Sequence, residues 1–423
     1  MTQKSISLST SVKKLNEDWT SVLLGSVTII LVLAGYKPHI PKTGWKETSE
    51  LFTVVFSPEN LVNVFFLYVV LHAIILFGTI FSEKKWKDYL GFPVLFLLSF
   101  AAQIIAGNGA IKSLGLEAVI FSLLLGLAIS NFAVIPSWLK ESISAELYTK
   151  IGLILLGASV LFYDILQAGS LGLVQALVVV ISVWYFAYWL SHKLKVDDEL
   201  TMMIASAVSI CGVSAAIATA GAIKGDSKKL SYVISLVLIV AVPMMIGLPY
   251  IAKALGLSEE VTGAWLGGTI DTTGAVVASG TLVGETALKI STIIKFSQNV
   301  LLGLAAFAIS IFWAYRKKEA NANEEKPNLK LIWERFPKFV IGFLAVSLVF
   351  SFLISPDVTK ASKDTLKGLQ LLWFGLAFTS IGLETKFKDI LKLDNGKPAI
   401  AFLVAQTFNV IICLGIAYVL FNK

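Results

Sequence analysis

Apolar runs of about 20 residues recur along this chain, and they constrain its fold more than any other feature. A run of that length is what an α-helix needs to cross a hydrocarbon core of roughly 30 Å. Charged residues make up only 15% of the sequence and hydrophobic residues 56%. Soluble domains carry about 25% charged residues, so water cannot be the main solvent here. We expect an all-α, polytopic membrane protein with about 11 to 13 transmembrane helices.

The polar stretches between the runs divide the chain into five parts. We predict a cytoplasmic N-terminus over 1–18, N-terminal helices over 19–132, a first core region over 133–315, a cytoplasmic linker over 316–338, and C-terminal helices over 339–423. Lys and Arg lie mainly in the alternate loops that share a side with the N-terminus, which places that side in the cytoplasm. The expected location is the inner, or plasma, membrane of a bacterium.

Several functional classes are disfavoured by composition. The net charge of +7 comes from loops between the runs, not from a basic face with interleaved aromatic residues, so we expect no nucleic-acid partner. Three His and two Cys provide neither a metal site nor a disulfide framework. The chain contains no HExxH, no GxSxG and no phosphate loop, so we expect neither an enzyme nor a bound cofactor.

Two distant segments resemble each other. Residues 151–166 (IGLILLGASVLFYDIL) and 376–391 (LAFTSIGLETKFKDIL) share the pairs Gly157/Gly382 and Phe162/Phe387 and the ending Asp-Ile-Leu. Seven predicted spans separate them, an odd number, so they would have opposite orientations. That is the pattern of inverted repeats in secondary transporters. Convergent apolar composition is the alternative explanation.

The first interrupted span is SAVSICGVSAAIATAG, residues 206–221. In hydrocarbon every backbone N–H and C=O needs an internal partner, so a break is tolerated only where it lines a protein cavity or packs tightly. A break here would direct half-helix N–H groups at an anion and half-helix carbonyls at a cation. A face of small residues for helix packing explains the same pattern.

The second interrupted span is GGTIDTTGAVVASG, residues 267–280, where Asp271 is the only ionisable residue. A carboxylate in a span costs at least about 2.5 kcal/mol, so such residues tend to be paired or to line an ion path. Asp271 is therefore a candidate coupling carboxylate. The alternative is that it only caps a half-helix opened by Gly267 and Gly268.

A third polar group follows in the next span. Lys295 precedes Gln298 and Asn299 by three and four residues, so the three side chains share one helical face. Lys295 would offset the charge of Asp271, attract an anion, or titrate; a lysine that extends to the membrane interface is the alternative. Thr379 and Ser380, beside Gly382, are weaker candidates for a further break that faces the first.

The predicted substrate- and ion-binding residues lie in four segments of the chain. They are Ser209, Cys211, Gly212, Ser214, Thr269, Asp271, Thr272, Lys295, Gln298, Asn299, Thr379 and Ser380.

At these segments the sequence resembles the YeiH-like family of bacterial membrane proteins, which carries the label of sulfate exporter. The resemblance covers about residues 90–421. The segment Ile210 to Ala215 matches the family's Cys-Gly-x-Ser-Ala motif, and Gly263-Ala264-Trp265 leads into Gly268-Thr269 as in the family. Ile294-Lys295-Phe296 stands at its Val-Lys-Leu motif.

The resemblance implies two inverted repeats, discontinuous helices that cross near the midplane, and a core domain that moves against a panel domain, often in a dimer. This chain departs from the family at its predicted site. Asp271-Thr272 replaces a His-Glu pair, Gly274-Ala275-Val276 replaces Ala-Gln-Val, and Gln298 replaces an Arg. Sulfate is therefore only the family's label. In addition, our count of spans gives the two breaks the same orientation, which crossing inverted helices would not have.

We therefore expect a secondary transporter that moves a small anion by alternating access, with H⁺ or Na⁺ as coupling ion. Asp271 would be the coupling carboxylate and Lys295 its charge partner or the anion anchor. One alternative is a cation/proton antiporter that moves no anion. Another is an uncoupled channel or membrane scaffold.

Overall fold

A computed structural model describes residues 14–113, 118–317, 333–334, 336–385 and 396–422. That part of the chain contains no β-strand, so the predicted all-α fold is confirmed. We number the α-helices of nine or more residues in chain order. They are α1 (Glu17–Leu33), α2 (Pro58–Phe81), α3 (Phe92–Ala106), α4 (Ala118–Phe132), α5 (Ala145–Leu156), α6 (Phe162–Lys193), α7 (Asp198–Ser206), α8 (Val213–Ile223), α9 (Ser227–Ala254), α10 (Glu259–Thr269), α11 (Thr273–Val283), α12 (Glu285–Lys317), α13 (Lys338–Phe352), α14 (Pro356–Glu384) and α15 (Lys397–Phe421).

Seven segments among the described residues are long and apolar enough to span a membrane. They are α2, α3 with the turn before it, α6, α9, α12, α14 and α15. Shorter apolar helices, among them α4, α8, α11 and α13, pack between them. The chain is thus a multi-pass membrane protein. We call the bilayer side on which α1 begins the N side.

The helices pack as two bodies. The panel comprises α1 to α5, α13 and α14, in which α14 lies against α4 and α5. The core comprises α6 to α12 and α15, with α12 packed on α6, α10 and α11. Helix α11 is a main bridge between the bodies, since it also contacts α5 and α14 of the panel.

Helices α7 and α8 form a re-entrant hairpin, which we call hairpin 1. Asp197 caps α7 by accepting hydrogen bonds from the backbone N–H groups of Glu199 and Leu200. Residues just after α8 contact the same place: Nζ of Lys229 donates to Oδ1 of Asp197 (2.7 Å), and the N–H of Asp226 donates to Oε2 of Glu199 (3.1 Å). Because the start of α7 meets the chain just after α8, hairpin 1 enters and leaves on one side.

Helices α10 and α11 form the second re-entrant hairpin, hairpin 2. Ser258 caps α10, and Glu259 Oε2 accepts hydrogen bonds from the backbone N–H groups of Thr286 (3.1 Å) and Ala287 (3.3 Å) just after α11. The 28-residue helix α9 separates the two hairpins and crosses the bilayer once. Hairpin 2 therefore enters from the side opposite to hairpin 1.

This geometry corrects the predicted topology. Both interrupted spans turn back instead of crossing, so the two breaks have opposite orientations, and counting each as a full crossing was wrong. Two missing crossings cancel, so the predicted side of the linker after α12 is unchanged. Most of that linker lies outside the described residues.

The predicted repeat pair falls at dissimilar places. The predicted span 151–166 is divided, because α5 ends at Leu156 and a short turn at Gly157–Ser159 precedes α6. Gly382 instead lies inside the continuous helix α14, and residues 386–391 lie outside the described residues. The discontinuous elements with inverted orientation are the two hairpins.

Candidate functional site

The tips of the two hairpins meet in the middle of the core. Gly212 follows a π-helical turn at Ala207–Cys211 and has φ 57° and ψ −110°, a conformation that only glycine adopts readily. A Cβ on Gly212 would lie 3.0 Å from Cβ of Asp271. The break in hairpin 2 is at Ile270 to Thr272, so two loops of broken backbone lie against each other.

On one flank of the tips, carbonyl groups converge on α12. Nζ of Lys295 donates hydrogen bonds to the carbonyl oxygens of Ile210 (2.9 Å) and Ile270 (2.8 Å) and to Oε1 of Gln298 (2.9 Å). Nε2 of Gln298 donates to the carbonyl oxygen of Ser209 (2.8 Å). An ammonium group at the carboxyl ends of two half-helices complements their dipoles. Lys295 is 1% exposed and therefore joins the hairpins, not the solvent.

Helix α15 holds the same flank of hairpin 2 with two side-chain amides. Nε2 of Gln406 donates to the carbonyl oxygen of Thr269 at 2.9 Å. Nδ2 of Asn409 donates to the carbonyl oxygens of Val208 (3.0 Å) and Thr269 (3.3 Å). The Gln406 side chain also lies beside the carboxyl group of Asp271. These amides satisfy carbonyls that the broken helices leave open.

On the opposite flank, the amino ends of α8 and α11 face a shared cavity of about 290 Å³. Val213 and Ser214 contribute from α8, and Thr272, Thr273 and Gly274 from the start of α11. Oγ1 of Thr272 accepts from the N–H of Ala275 (3.3 Å) and caps α11. The cavity therefore carries the partial positive charge of two helix N-termini.

Side chains from both bodies complete the wall of this cavity. Thr149 and Glu146 of α5 line it from the panel, and Asn299 of α12 lines it from the core. Asp18, Lys150 and Pro337 also line it, and since Asp18 and Pro337 stand at the starts of α1 and α13, the cavity lies toward the N side.

A second cavity of about 330 Å³ shares part of this wall. Glu146, Thr149, Val213, Thr272 and Gly274 line both cavities. The amino ends of the half-helices are thus accessible from two adjoining spaces.

Eight of the predicted residues lie at the tips or in their immediate packing. Cys211, Ser214, Thr272 and Asn299 line the first cavity, while Gly212, Asp271, Lys295 and Gln298 form the junction described above. Thr269 ends α10 and offers its carbonyl oxygen to α15. Ser209 takes part through its own carbonyl, because its hydroxyl donates to the carbonyl oxygen of Ala205 (2.7 Å).

The prediction that a broken helix at Thr379 and Ser380 would face the first break is wrong. Helix α14 is continuous there, and Oγ1 of Thr379 donates to the carbonyl oxygen of Gly375 one turn earlier (2.9 Å). The backbone at Thr379 and Gly382 packs on Gly126 of α4. Glycine here permits close helix packing within the panel.

Gln406 and Asn409 were not predicted as site residues. They are amides in a long apolar helix, a pattern that is as typical of contacts between helices as of a site. A usable signal was present in α15, where Gln406, Asn409 and Cys413 recur at intervals of three and four and so form one polar face.

Sequence comparisons with known proteins identify the family of the chain. A family model described as "Conserved hypothetical protein 698" matches residues 90–401. A UPF0324 membrane protein of Rhodopirellula baltica is 39% identical over 399 residues, which cover 91% of this chain and 72% of that protein. The chain belongs to this family. The predicted resemblance to the YeiH-like family is thereby confirmed.

Other members of the family extend the comparison. A UPF0324 membrane protein of Nitratidesulfovibrio vulgaris is 38% identical over 79% of this chain, which spans only 60% of that protein. One of Nitrosomonas europaea is 27% identical over 95% of both chains. The names of these relatives describe them as membrane proteins and mention no substrate. No solved structure matches the chain.

Proposed function

We propose that this protein is a secondary transporter that moves a small anion across the bacterial inner membrane by alternating access, without a chemical step. The observation that carries the proposal is the convergence of two half-helix N-termini, one from each re-entrant hairpin, on one cavity. Discontinuous helices with this arrangement direct their positive ends at anionic substrates in secondary transporters. The proposal places the N side in the cytoplasm.

The cavity suits an anion in spite of the acidic residues on its wall. The acidic residues are Asp18, Glu146 and Glu334. The carboxylates of Glu146 and Asp18 each lie 3.0 Å from Nζ of Lys150, so that lysine offsets part of their charge. At the inner end of the cavity the groups from the hairpins are backbone N–H groups and the hydroxyls of Ser214 and Thr273. Such neutral groups can bind a small anion. Because they carry no full positive charge, the anion can also be released.

Alternating access follows from the way the two bodies meet. The cavity reaches the amino end of α11 from the N side, whereas Ala275 to Gly280 of the same helix are buried. Gly274 packs against Ile381 and Thr149 of the panel, so α11 closes the path to the other side. A shift of the core relative to the panel would separate α11 from α5 and α14 and open that path.

Thermal unfolding of the purified protein with a panel of anions tests the proposal. Sulfate, sulfonates and carboxylates are each added both as sodium and as N-methyl-D-glucamine salts at equal ionic strength, with the gluconate salt of the same cation as reference. A ligand of the folded state raises the unfolding temperature by mass action. We expect at least one anion to do so with a saturating concentration dependence. The absence of a shift with every anion would contradict the proposal.

A cysteine variant places the bound anion. In a protein with Cys211→Ala and Cys413→Ala, the variant Ser214→Cys should react with a charged thiol reagent, and the stabilising anion should slow that reaction. Ile217→Cys, one turn along α8 on the same cavity wall, is the matched control and should be protected less. In proteoliposomes, non-saturating flux of that anion would indicate a channel.

A further inference from the structure

Four buried oxygen atoms around the carboxyl end of α10 have no hydrogen-bond partner among the described residues. They are Oγ1 of Thr269, Oδ2 of Asp271, Oε1 of Gln406 and Oδ1 of Asn409. The four side chains are between 1% and 3% exposed. A buried oxygen without a partner costs about 1–3 kcal/mol, and more when charged, so four in one place call for a ligand.

The contacts bring the four side chains together around the carbonyl group of Thr269. Gln406 and Asn409 both donate to the carbonyl oxygen of Thr269, and Gln406 lies beside Asp271. The orientation of the two amides is well determined, because a flip would place each amide oxygen against a backbone carbonyl oxygen. Their free atoms are therefore acceptors. Only a cation or a hydrogen-bond donor can satisfy such a set.

We propose that Thr269, Asp271, Gln406 and Asn409 form a sodium site at the carboxyl end of the first half of hairpin 2. Carboxylate, amide and hydroxyl oxygens are the ligands that hard cations prefer. The carboxyl end of a half-helix adds partial negative charge, and such ends coordinate Na⁺ in secondary transporters.

Charge and size favour Na⁺ over other cations. Nζ of Lys295 uses its three hydrogens on two backbone carbonyls and Gln298, so it donates none to Asp271. Asp271 is the one carboxylate of the set. With Lys295 nearby, the group is close to neutral, so a divalent ion would add two uncompensated charges. Asp271, Gln406 and Asn409 line neither of the two cavities described above, which favours a small ion without its water shell.

The position of the site couples the ion to the proposed anion, and this step rests on the proposed function. Thr269 and Asp271 lie on one flank of the hairpin 2 tip, and Thr272 to Gly274, which face the cavity, lie on the other. An ion that holds Asp271 against α15 fixes the tip and with it the amino end of α11. The bound cation also offsets the charge of the anion.

Sodium binding is testable without knowledge of the anion. The purified full-length protein is unfolded thermally in sodium, potassium or N-methyl-D-glucamine gluconate at constant pH and ionic strength. We expect Na⁺ to raise the unfolding temperature with saturation and K⁺ to do so much less. Thr269→Val replaces a hydroxyl whose neighbour is the Cys413 thiol, a weak partner, by a methyl group of the same shape. The sodium-free protein should therefore stay folded, and the apparent Kd for Na⁺ should rise at least tenfold.

Two further variants make the result specific. Asp271→Asn should abolish the sodium response. Ser122→Ala, which removes another buried hydroxyl without a described partner from α4 of the panel, should leave it unchanged. A wild-type protein that responds equally to Na⁺ and N-methyl-D-glucamine, or to Na⁺ and K⁺, would overturn the sodium site. So would a Thr269→Val protein with the wild-type response.

The anion experiment separates this outcome from failure of the proposed function. Anion stabilisation in N-methyl-D-glucamine salts without any sodium response would remove the sodium site and leave the anion proposal intact. A sodium response without any anion response would support the sodium site and contradict the anion proposal. That result would favour a cation carrier.

Discussion

Gly212 and Asp271, which are 59 positions apart in the sequence, lie in contact at the tips of two hairpins that enter the bilayer from opposite sides. The contact requires a residue without a side chain at position 212. Any Cβ there would meet Cβ of Asp271 at 3.0 Å and Cγ1 of Val237 at 2.6 Å. The site therefore depends on close approach of two backbones, which side-chain chemistry alone does not provide.

Gly212→Ala should destabilise the protein and impair anion binding. The residue has φ 57° and ψ −110°, and holding a side chain in so sparsely populated a conformation costs about 1–3 kcal/mol. Thermal unfolding should show a lower midpoint than wild type. Gly247→Ala in α9 is the matched control, since no atom would lie within 4 Å of its Cβ. Equal midpoints for the two variants would show that the tip tolerates a side chain.

The re-entrant topology predicts which residues share a side of the membrane. In a background without Cys211 and Cys413, Asp198→Cys at the start of hairpin 1 and Lys228→Cys after its end should react with an impermeant thiol reagent from the same side. Glu260→Cys at the start of hairpin 2 should react from the other side. If hairpin 1 crossed the bilayer, Asp198→Cys and Lys228→Cys would react from opposite sides.

The positions of the two breaks were predictable from the sequence, but their re-entrance was not. The run of apolar and small residues over 200–223 is long enough to cross once as a helix or to turn back as two short helices, and periodicity does not distinguish the two. The decision lies in contacts between residues far apart in the sequence. Lys229 with Asp197, and Glu259 with the N–H of Thr286, bring the ends of each hairpin together.

The roles of individual residues were predicted less well than their location. Gly267 and Gly268 indicated a break, yet both lie within α10, where a Cβ would come within 2.5 Å of the Ser291 carbonyl and 2.7 Å of the Cys413 sulfur. They serve close packing. Lys295 was expected to bind an anion or pair with Asp271, and its hydrogen bonds instead join both hairpins. A polar residue type indicates a site, but its partners depend on the fold.

Stability at the base of hairpin 1 should depend on pH through Asp197. Burial alone raises the pKa of Asp197, but hydrogen bonds from Lys229 and from the N–H groups of Leu200 and Glu199 outweigh burial and lower it from its ordinary 3.8. A lowered folded-state pKa gives stability that is present above the ordinary pKa and lost as pH falls through the folded value.

Asp197→Asn tests this dependence, because asparagine keeps the helix cap and loses the charge. The variant should unfold at a lower temperature than wild type at neutral pH, by less than about 1 kcal/mol for so exposed a pair. The difference should shrink as the pH falls below 3.8. Lys229 also pairs with Glu199 at 3.2 Å, so Lys229→Met alone should cost more than Asp197→Asn alone. The double variant should lose less stability than the sum of the two single losses, and fully additive losses would contradict a direct interaction of Asp197 with Lys229.

Lys295→Met should be among the most destabilising changes to one side chain in the core. The substitution keeps most of the volume and leaves two backbone carbonyls and Oε1 of Gln298 without their donor. Each unsatisfied buried group costs about 1–3 kcal/mol, so the total loss should be on the order of 3 kcal/mol or more. Lys289→Met is the control on the same helix, where the lysine forms a half-exposed pair with Glu285 at 3.1 Å that contributes less than about 1 kcal/mol. Thermal unfolding of both variants measures the difference. A Lys295→Met protein as stable as Lys289→Met would mean that the hairpin tips stay joined without the ammonium group, and Lys295 would then be free to act on the transported ion.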